Sequence, residues 1–263
     1  MSIKEFILKI RKRWHYFLAK RKTIETYYMT VVDSTKELTT FNYFGHVFKA
    51  RLKNSSDYGM VKQVLIDGEY KVATTFFNAQ NIQPKHIIDA GSNIGSTTIF
   101  LKNIFPESKV YCIEPDNDNF DLLKFNVSSY VDDGSVKLYK AGLMAKSGLS
   151  LSVTDEFRDR SSCARQVRIS EKLSDLKSIT IAEIIEENNI DVIDLLKIDI
   201  EGAENFLIEE GSDVSFLNNT RCIVIEIHDE VVNRKSVYEL LKAHDFILLE
   251  DNETTIAIKK ELC

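Results

Sequence analysis

The chain of 263 residues is short of proline, with 3, and of cysteine, with 4, and has no long unbroken apolar run. Each scarcity excludes something. No stretch reaches the ~20 apolar residues that crossing a bilayer needs, so no membrane-spanning helix is expected. The N-terminus lacks the uninterrupted apolar core and small-residue cleavage site of a secretory signal. Few prolines and no low-complexity tract argue against long linkers, and no internal repeat occurs. Cys112, Cys163, Cys222 and Cys263 form no CxxC pair. A cysteine-ligated zinc is therefore not expected, and a reducing cytoplasmic setting is. Cys112 and Cys222 lie inside apolar, strand-like runs, where a free thiol acts as a small hydrophobe.

What is present suits a globular protein. Hydrophobic residues make up 44% and charged residues 28%, enough for a sizeable core. The length fits one large domain, or one domain with an N-terminal extension. The net charge of −6 is uneven: residues 1–22 carry eight Lys or Arg against Glu5, so they hold +7 and the rest holds −13. An acidic body of that kind gives no support to nucleic acid as a partner. In the basic segment Ile3, Phe6, Ile7, Ile10, Trp14, Phe17 and Leu18 fall on one helical stripe. Such a stripe packs on its own domain or on a homodimer partner; the basic face also allows peripheral contact with an anionic membrane.

The expected organisation is a basic amphipathic helix over residues 1–30, a hairpin and helix cap over 31–85, and an α/β domain over 86–263. Residues 40–53 place aromatic and aliphatic side chains around Gly45, which predicts a β-hairpin. Val61–Leu65 and Tyr70–Phe77 read as helical, with a turn at Asp67-Gly68-Glu69. From His86 short apolar runs alternate with amphipathic stretches, the pattern of a parallel α/β sheet. Strands are expected at His86–Ala90, Val110–Glu114, Val136–Lys140, Leu195–Asp199, Cys222–Ile227, Phe246–Leu249 and Thr254–Ile258. The last two should pair antiparallel. Helices are expected at Ile94–Ile104, about Asp116–Val127 and Ile181–Asn188, and from near Gly202 and Val232. Between Gly142 and Ser178 the pattern is irregular, with strand-like pieces near Leu149–Val153 and Gln166–Ile169.

Four stretches carry chemistry. In Asp89-Ala90-Gly91-Ser92-Asn93-Ile94-Gly95 the glycines allow a sharp turn between a buried strand and a helix, where α/β folds bind nucleotides. The G-x-G-x-x-G of dinucleotide folds is absent, since Asn93 and Ser96 stand at its glycine positions. Asp89 at the strand end suits a ligand with an ammonium better than a pyrophosphate. Glu114-Pro115 closes the second strand, about 20 residues after the turn, where a carboxylate takes ribose hydroxyls. Lys197-Ile198-Asp199-Ile200-Glu201-Gly202-Ala203-Glu204 places Asp199 at the ligand-binding edge, with Lys197 on the same side of its strand. A structural ion pair is the plainer reading of that pair. Glu226-Ile227-His228 ends the next strand, with His228 able to titrate near neutral pH. A His beside carboxylates also resembles a divalent-metal site, but three ligand types at strand ends assign no metal.

Together these stretches resemble the FkbM-type family of class I S-adenosylmethionine-dependent methyltransferases, from about residue 45 to 258. Ser56-Asp57 and Gly68-Glu69-Tyr70 look like that family's lead-in to the first strand. The resemblance implies a Rossmann-like seven-stranded sheet with helices on both faces, S-adenosylmethionine as cofactor, and methylation of a hydroxyl on a sugar, glycan or natural-product-like molecule. Asp89, Gly91, Ser92, Asn93, Gly95, Glu114, Pro115 and Asp199 are expected to hold the cofactor. His228 is the first candidate for the base, oriented by Asp199 or Glu226; Glu69 and Tyr70 are further candidates. The alternatives are a non-catalytic scaffold of the same fold, an amine or protein acceptor, and an NAD-linked oxidoreductase, which Asn93 and Ser96 disfavour. Arg158, Asp159, Arg160, Ser161 and Ser162 are polar enough to meet an acceptor, as any solvated loop is.

Overall fold

The computed structural model describes residues 29–52, 55–154, 166–201, 203–209 and 211–263. The expected basic helix lies outside these residues, except that Met29 and Thr30 open a β-strand instead of ending a helix. The polar stretch 158–162, Cys163 and Gly202 also lie outside them.

Strand β1 (Met29–Ser34) pairs antiparallel with β2 (Leu38–Tyr43), and β2 with β3 (His46–Arg51). The β2–β3 turn is Phe44-Gly45, both at positive φ, the geometry that a two-residue hairpin turn requires. Helix α1 (Asp57–Val61) runs into a π-helical turn, Lys62–Asp67, which Gly68 closes in the left-handed conformation. Helix α2 (Lys71–Ala79) follows.

The main sheet then begins with β4 (His86–Ala90), α3 (Ser96–Ile104), β5 (Lys109–Ile113), α4 (Asn117–Asn126), α5 (Ser128–Asp132) and β6 (Val136–Tyr139). A side branch follows. Short strands β7 (Ala141–Leu143) and β10 (Lys177–Ile179) pair in parallel, and β8 (Leu151–Thr154) and β9 (Gln166–Ile169) form an antiparallel pair between them. The chain returns through α6 (Ile181–Asn188), β11 (Ile193–Ile198), β12 (Thr220–Glu226), α7 (Arg234–Ala243), β13 (Phe246–Asp251) and β14 (Thr254–Lys259). Where a helix was expected after Gly202, a 3-10 turn, Ala203–Leu207, takes its place.

The seven-stranded sheet has the order β13-β14-β12-β11-β4-β5-β6. Six strands point the same way, and β14 alone runs against both its neighbours. Strand alternation divides the core in two. Ile87, Leu195, Cys222 and Val224 pack with Ile99, Leu101 and Leu123 of α3 and α4. Ile88, Leu196, Ile223 and Ile225 pack with Ile181, Ile184, Val237 and Leu241 of α6 and α7. Helices therefore cover both faces. Phe41, Phe48, Val61 and Phe77 belong to the first of these cores, so the N-terminal elements share it. Among the described residues no helix is long and apolar enough to cross a membrane.

Two buried polar side chains fix the frame. Asn126 bonds both backbone groups of Lys49, at 2.7 and 2.8 Å, and donates to the Ile94 carbonyl at 2.8 Å, tying β3 to the turn before α3. Asp194 accepts from the backbone N–H groups of Lys85 and His86 and from Arg221, fastening the starts of β4, β11 and β12. Strand order reverses between β4 and β11. That switch point is where an open parallel sheet leaves a crevice.

Candidate active site

The crevice lies beyond the C-terminal ends of β4, β5, β11 and β12. Its walls include Gly91, Asn93, Glu114, Pro115, Asp199 and Glu226 of the residues expected from sequence. Met60, Gln63, Asn119, Leu143, Val167, Glu201 and Glu253 complete much of the rest.

The glycine turn is shaped by main-chain contacts. Gly91 and Ser92 N–H both donate to the Ile113 carbonyl at 3.0 Å, which hangs the turn on the next strand. Gly91 has φ +81, and a Cβ there would stand 1.7 Å from the Asp199 carbonyl oxygen. No other residue fits. Gly95, φ +92, caps α3 and abuts Leu123. Ser92 is buried, with its hydroxyl on the Asp89 carbonyl at 2.7 Å. These two residues shape the turn from behind the wall.

Asp89 also departs from its expected place. It is fully buried and off the cleft wall, because its carboxylate is already taken: Thr98 donates to Oδ2 at 2.7 Å, and Lys197 Nζ lies 3.4 Å from Oδ1. Lys197 reaches Asp199 as well, at 3.7 Å, and donates to the Gly91 carbonyl at 2.6 Å. Burial opposes charge on Lys197, but Asp89 and Asp199 overcome it and raise its pKa. The ion pair expected from the alternation is present. It also stitches the glycine turn to the end of β11.

Glu114 is buried against the turn that it supports. Asn93 N–H donates to Oε2 at 2.8 Å and Asp116 N–H to Oε1 at 3.0 Å. Burial outweighs these bonds and pushes its pKa up to about 7. Asp116 caps α4 by accepting from Asn119 N–H at 2.9 Å, so the helix start holds Glu114 and Asn119 at the wall.

On the far side, His228 is buried below Glu226, 1% exposed. Its Nδ1 donates to Glu204 Oε1 at 2.9 Å, and its Nε2 lies 3.4 Å from Glu201 and 3.6 Å from Glu226. Glu204 is thus the hydrogen-bonded partner of Nδ1, while Glu226, one of the two expected partners, stands on the Nε2 side. Glu204 also accepts the Ile200 N–H at 3.2 Å, so one buried carboxylate joins the β11 loop to the imidazole. Burial would lower the His228 pKa, but the bonds and charges of Glu201 and Glu204 raise it to about 10. At neutral pH the ring is a cation and a donor. That is the wrong state for removing a proton.

Glu226 has the opposite property. Burial and the nearby Asp199 push its pKa up to about 8, with the His228 charge opposing. Glu69 is raised to about 7 by burial and by Asp199, and Gln63 Nε2 donates to it at 3.0 Å. The adjacent Tyr70 is fully enclosed, which drives its phenol well above its ordinary range. Asp199, Glu226 and His228 offer atoms within 4.8 Å of one another, a spacing that a divalent ion can bridge. Lys197 Nζ also lies 3.7 Å from Asp199, and His228 Nε2 3.6 Å from Glu226, so both carboxylates already face a side-chain nitrogen.

Glu201 and Glu204 were in view in the sequence without a role. Glu201 sits at φ +53, a strained position for a non-glycine residue that aims its side chain at the cleft. Glu253 gave no local signal. Its place follows from topology: β14 is reversed, so the turn before it lies at the same edge as the ends of the parallel strands.

A sequence profile of the methyltransferase FkbM domain matches residues 89–250, more than half of the chain. Methyltransferase sdnD of Sordaria araneosa is 24% identical over 249 residues, covering 84% of this chain and 92% of its own. Methyltransferase 1 of Beauveria bassiana (strain ARSEF 2860) is 25% identical over 207 residues, covering 70% and 79%. The crystal structure of methyltransferase FkbM from Methylobacillus flagellatus KT aligns with a TM-score of 0.45 and 18% identity. That alignment covers 67% of this chain and 44% of the other.

Proposed function

The chain belongs to the FkbM methyltransferase family, and from that premise we propose that it methylates a hydroxyl of a small molecule, of the sugar, glycan or natural-product kind, using S-adenosylmethionine. The observation that carries this reading is one cleft walled by the Gly91 turn, Glu114, Asp199 and Glu226. The residues fit the cofactor. A buried carboxylate at the end of β5 suits two ribose hydroxyls. The Asn93 side-chain oxygen is buried without a hydrogen-bond partner beside it. The acidic wall suits a ligand that carries both a sulfonium and an ammonium.

S-adenosylmethionine supplies an electrophilic methyl group on a positive sulfur. Glu114 would hold the ribose, Asn93 and the Gly91 turn the neighbouring polar atoms, and Asp199 the ammonium. Pro115, Ile113 and Leu143 supply apolar wall for the base. Asp89, Ser92 and Gly95 support the turn from behind. Glu226 is the base: its raised pKa makes it a stronger proton acceptor than an ordinary carboxylate. Glu226 would take the proton that the acceptor hydroxyl gives up, while the bound cofactor would supply the methyl group. His228 keeps its charge and positions Glu226 and Glu201. Holding the acceptor in line is worth as much as the base itself.

Titration calorimetry with S-adenosylmethionine, S-adenosylhomocysteine and NAD tests the cofactor. The expected result is saturable binding of the two adenosyl sulfur compounds, lost in Glu114→Ala, with none for NAD. A folded protein that binds neither sulfur compound would overturn the reading and leave a non-catalytic scaffold.

A further inference from the structure

S-adenosylmethionine ends in an amino acid, whose ammonium and carboxylate both need partners. Asp199 suits the ammonium. The carboxylate needs N–H donors, which an ionised acid such as Asp199 cannot supply. The main chain of the glycine turn is largely spent: Gly91 and Ser92 donate to the Ile113 carbonyl, Asn93 to Glu114 and Gly95 to the Ser92 carbonyl. Among the described wall side chains three carry N–H groups, Gln63, Asn93 and Asn119. Asn93 and Asn119 belong to the ribose end. The Asn93 main chain and the Asn119 side chain both reach Glu114, and Arg51 donates to Asn119 Oδ1. Gln63 stands apart from them, on the π-helical turn Lys62–Asp67, which packs against α3 just after the Gly91 turn.

The corner that follows Gln63 holds it in place. Its carbonyl accepts from Gly68 N–H at 2.9 Å and from Glu69 N–H at 3.2 Å, the wide pattern of a π-turn, a form common at functional sites. Its Nε2 donates to Glu69 Oε1 at 3.0 Å. An ionised carboxylate only accepts, so Glu69 draws the nitrogen end of the amide to itself and fixes how the side chain lies. One N–H of Gln63 is spent on Glu69. The other has no partner among the described residues, on a side chain that lines the cleft. Glu69 feels the charges of Asp199 and Lys197, which puts this corner at the Asp199 end. We propose that Gln63 donates to the carboxylate of S-adenosylmethionine, with Glu69 as its positioning residue. The N-terminal cap is thereby part of the cofactor seat. The inference rests on the methyl-transfer reading above and assigns the cofactor carboxylate, which that reading leaves without a partner.

The test is calorimetry of the full chain at about pH 8.5, above the Glu69 pKa of about 7. It compares S-adenosylhomocysteine with its decarboxylated analogue, S-adenosyl-3-thiopropylamine, from which it differs only in the carboxylate. The wild type should prefer S-adenosylhomocysteine about tenfold, the worth of one hydrogen bond to a charged group. Gln63→Leu should erase that preference while the decarboxylated analogue binds as before. Glu69→Leu should reduce it, and Glu69→Gln, which keeps an acceptor for the amide, should restore most of it. A purely structural role for Gln63 and Glu69 would weaken both ligands alike and overturn the proposal. So would a wild type without preference, or a preference retained in Gln63→Leu. Binding of neither ligand by the folded wild type overturns the methyl-transfer reading itself, and the proposal with it.

Discussion

His228 and Glu226 divide between them the two properties that one histidine was expected to combine. Positive charge stays on the buried imidazole, held by Glu204, while proton affinity near neutrality passes to the carboxylate beside it. The pH–rate profile should therefore rise with an apparent pKa near 8, as Glu226 loses its proton, and fall toward 10, as His228 loses its own. The His228 charge lowers the Glu226 pKa, so His228→Gln should move the rising limb to higher pH without abolishing it. Loss of that limb in His228→Gln would make His228 the base. Backbone sterics govern the other critical residue. At Gly91 a methyl group would overlap the Asp199 carbonyl, at a φ that alanine resists. Gly91→Ala should cost about 3 kcal/mol or more, read as a lower denaturant midpoint, with cofactor binding lost.

At the scale of elements, the docking of the N-terminal hairpin depends on one amide. Asn126 is 1% exposed and serves Lys49 N–H, the Lys49 carbonyl and the Ile94 carbonyl at once. Asn126→Ala should cost about 2–3 kcal/mol, because backbone groups are left without their partner. Hydrogen exchange should show β3 and the start of α3 losing protection together; loss confined to α4 would refute the coupling. The elements that the sequence made legible are those with strong local signals. His86–Ala90 and Gln166–Ile169 are strands at the expected bounds. Ile181–Asn188 is a helix at its expected bounds, opened by a Thr180–Glu183 capping box. β1 was missed because it is mostly exposed and shows no apolar alternation. β7 and β10 are three residues each, too short for a period to register. The 3-10 turn at Ala203–Leu207 replaces a helix where Glu204 is drawn back to Ile200 and His228.

For the whole molecule, the acidic cleft makes stability depend on pH in a definite direction. Glu69, Glu114 and Glu226 have folded pKa values of about 7, 7 and 8 against an ordinary 4.5. Groups raised in this way stabilise the fold fully below 4.5 and lose that contribution as pH climbs through 7 to 8. His228, raised from 6.5 to about 10, loses its own contribution over that higher window. The ligand-free protein should therefore melt at lower temperature as pH rises from about 6 to 9. A cation entering the cleft relieves the same repulsion, so S-adenosylmethionine should raise the melting temperature more at the upper end of that range. Its binding should also release protons, measurable by calorimetry in buffers of different ionisation enthalpy. A pH-independent melting temperature would contradict the charge assignment. The Gly91 turn, Glu114, Asp199 and Glu226 were readable as motifs because each stands at a strand end. The inward turn of Asp89 and the arrival of Glu253 were not, since both depend on which strands are neighbours.

The β13–β14 hairpin borders the sheet, whereas the cofactor turn grows from the central strand β4. Edge and centre differ in how freely they accept change. A protein engineer who randomised the Asp251–Glu253 turn would vary one wall of the acceptor chamber while leaving the cofactor seat and both halves of the core in place. Libraries aimed there should yield altered substrate range among folded members, and libraries aimed at the Gly91 turn should yield mostly unfolded ones.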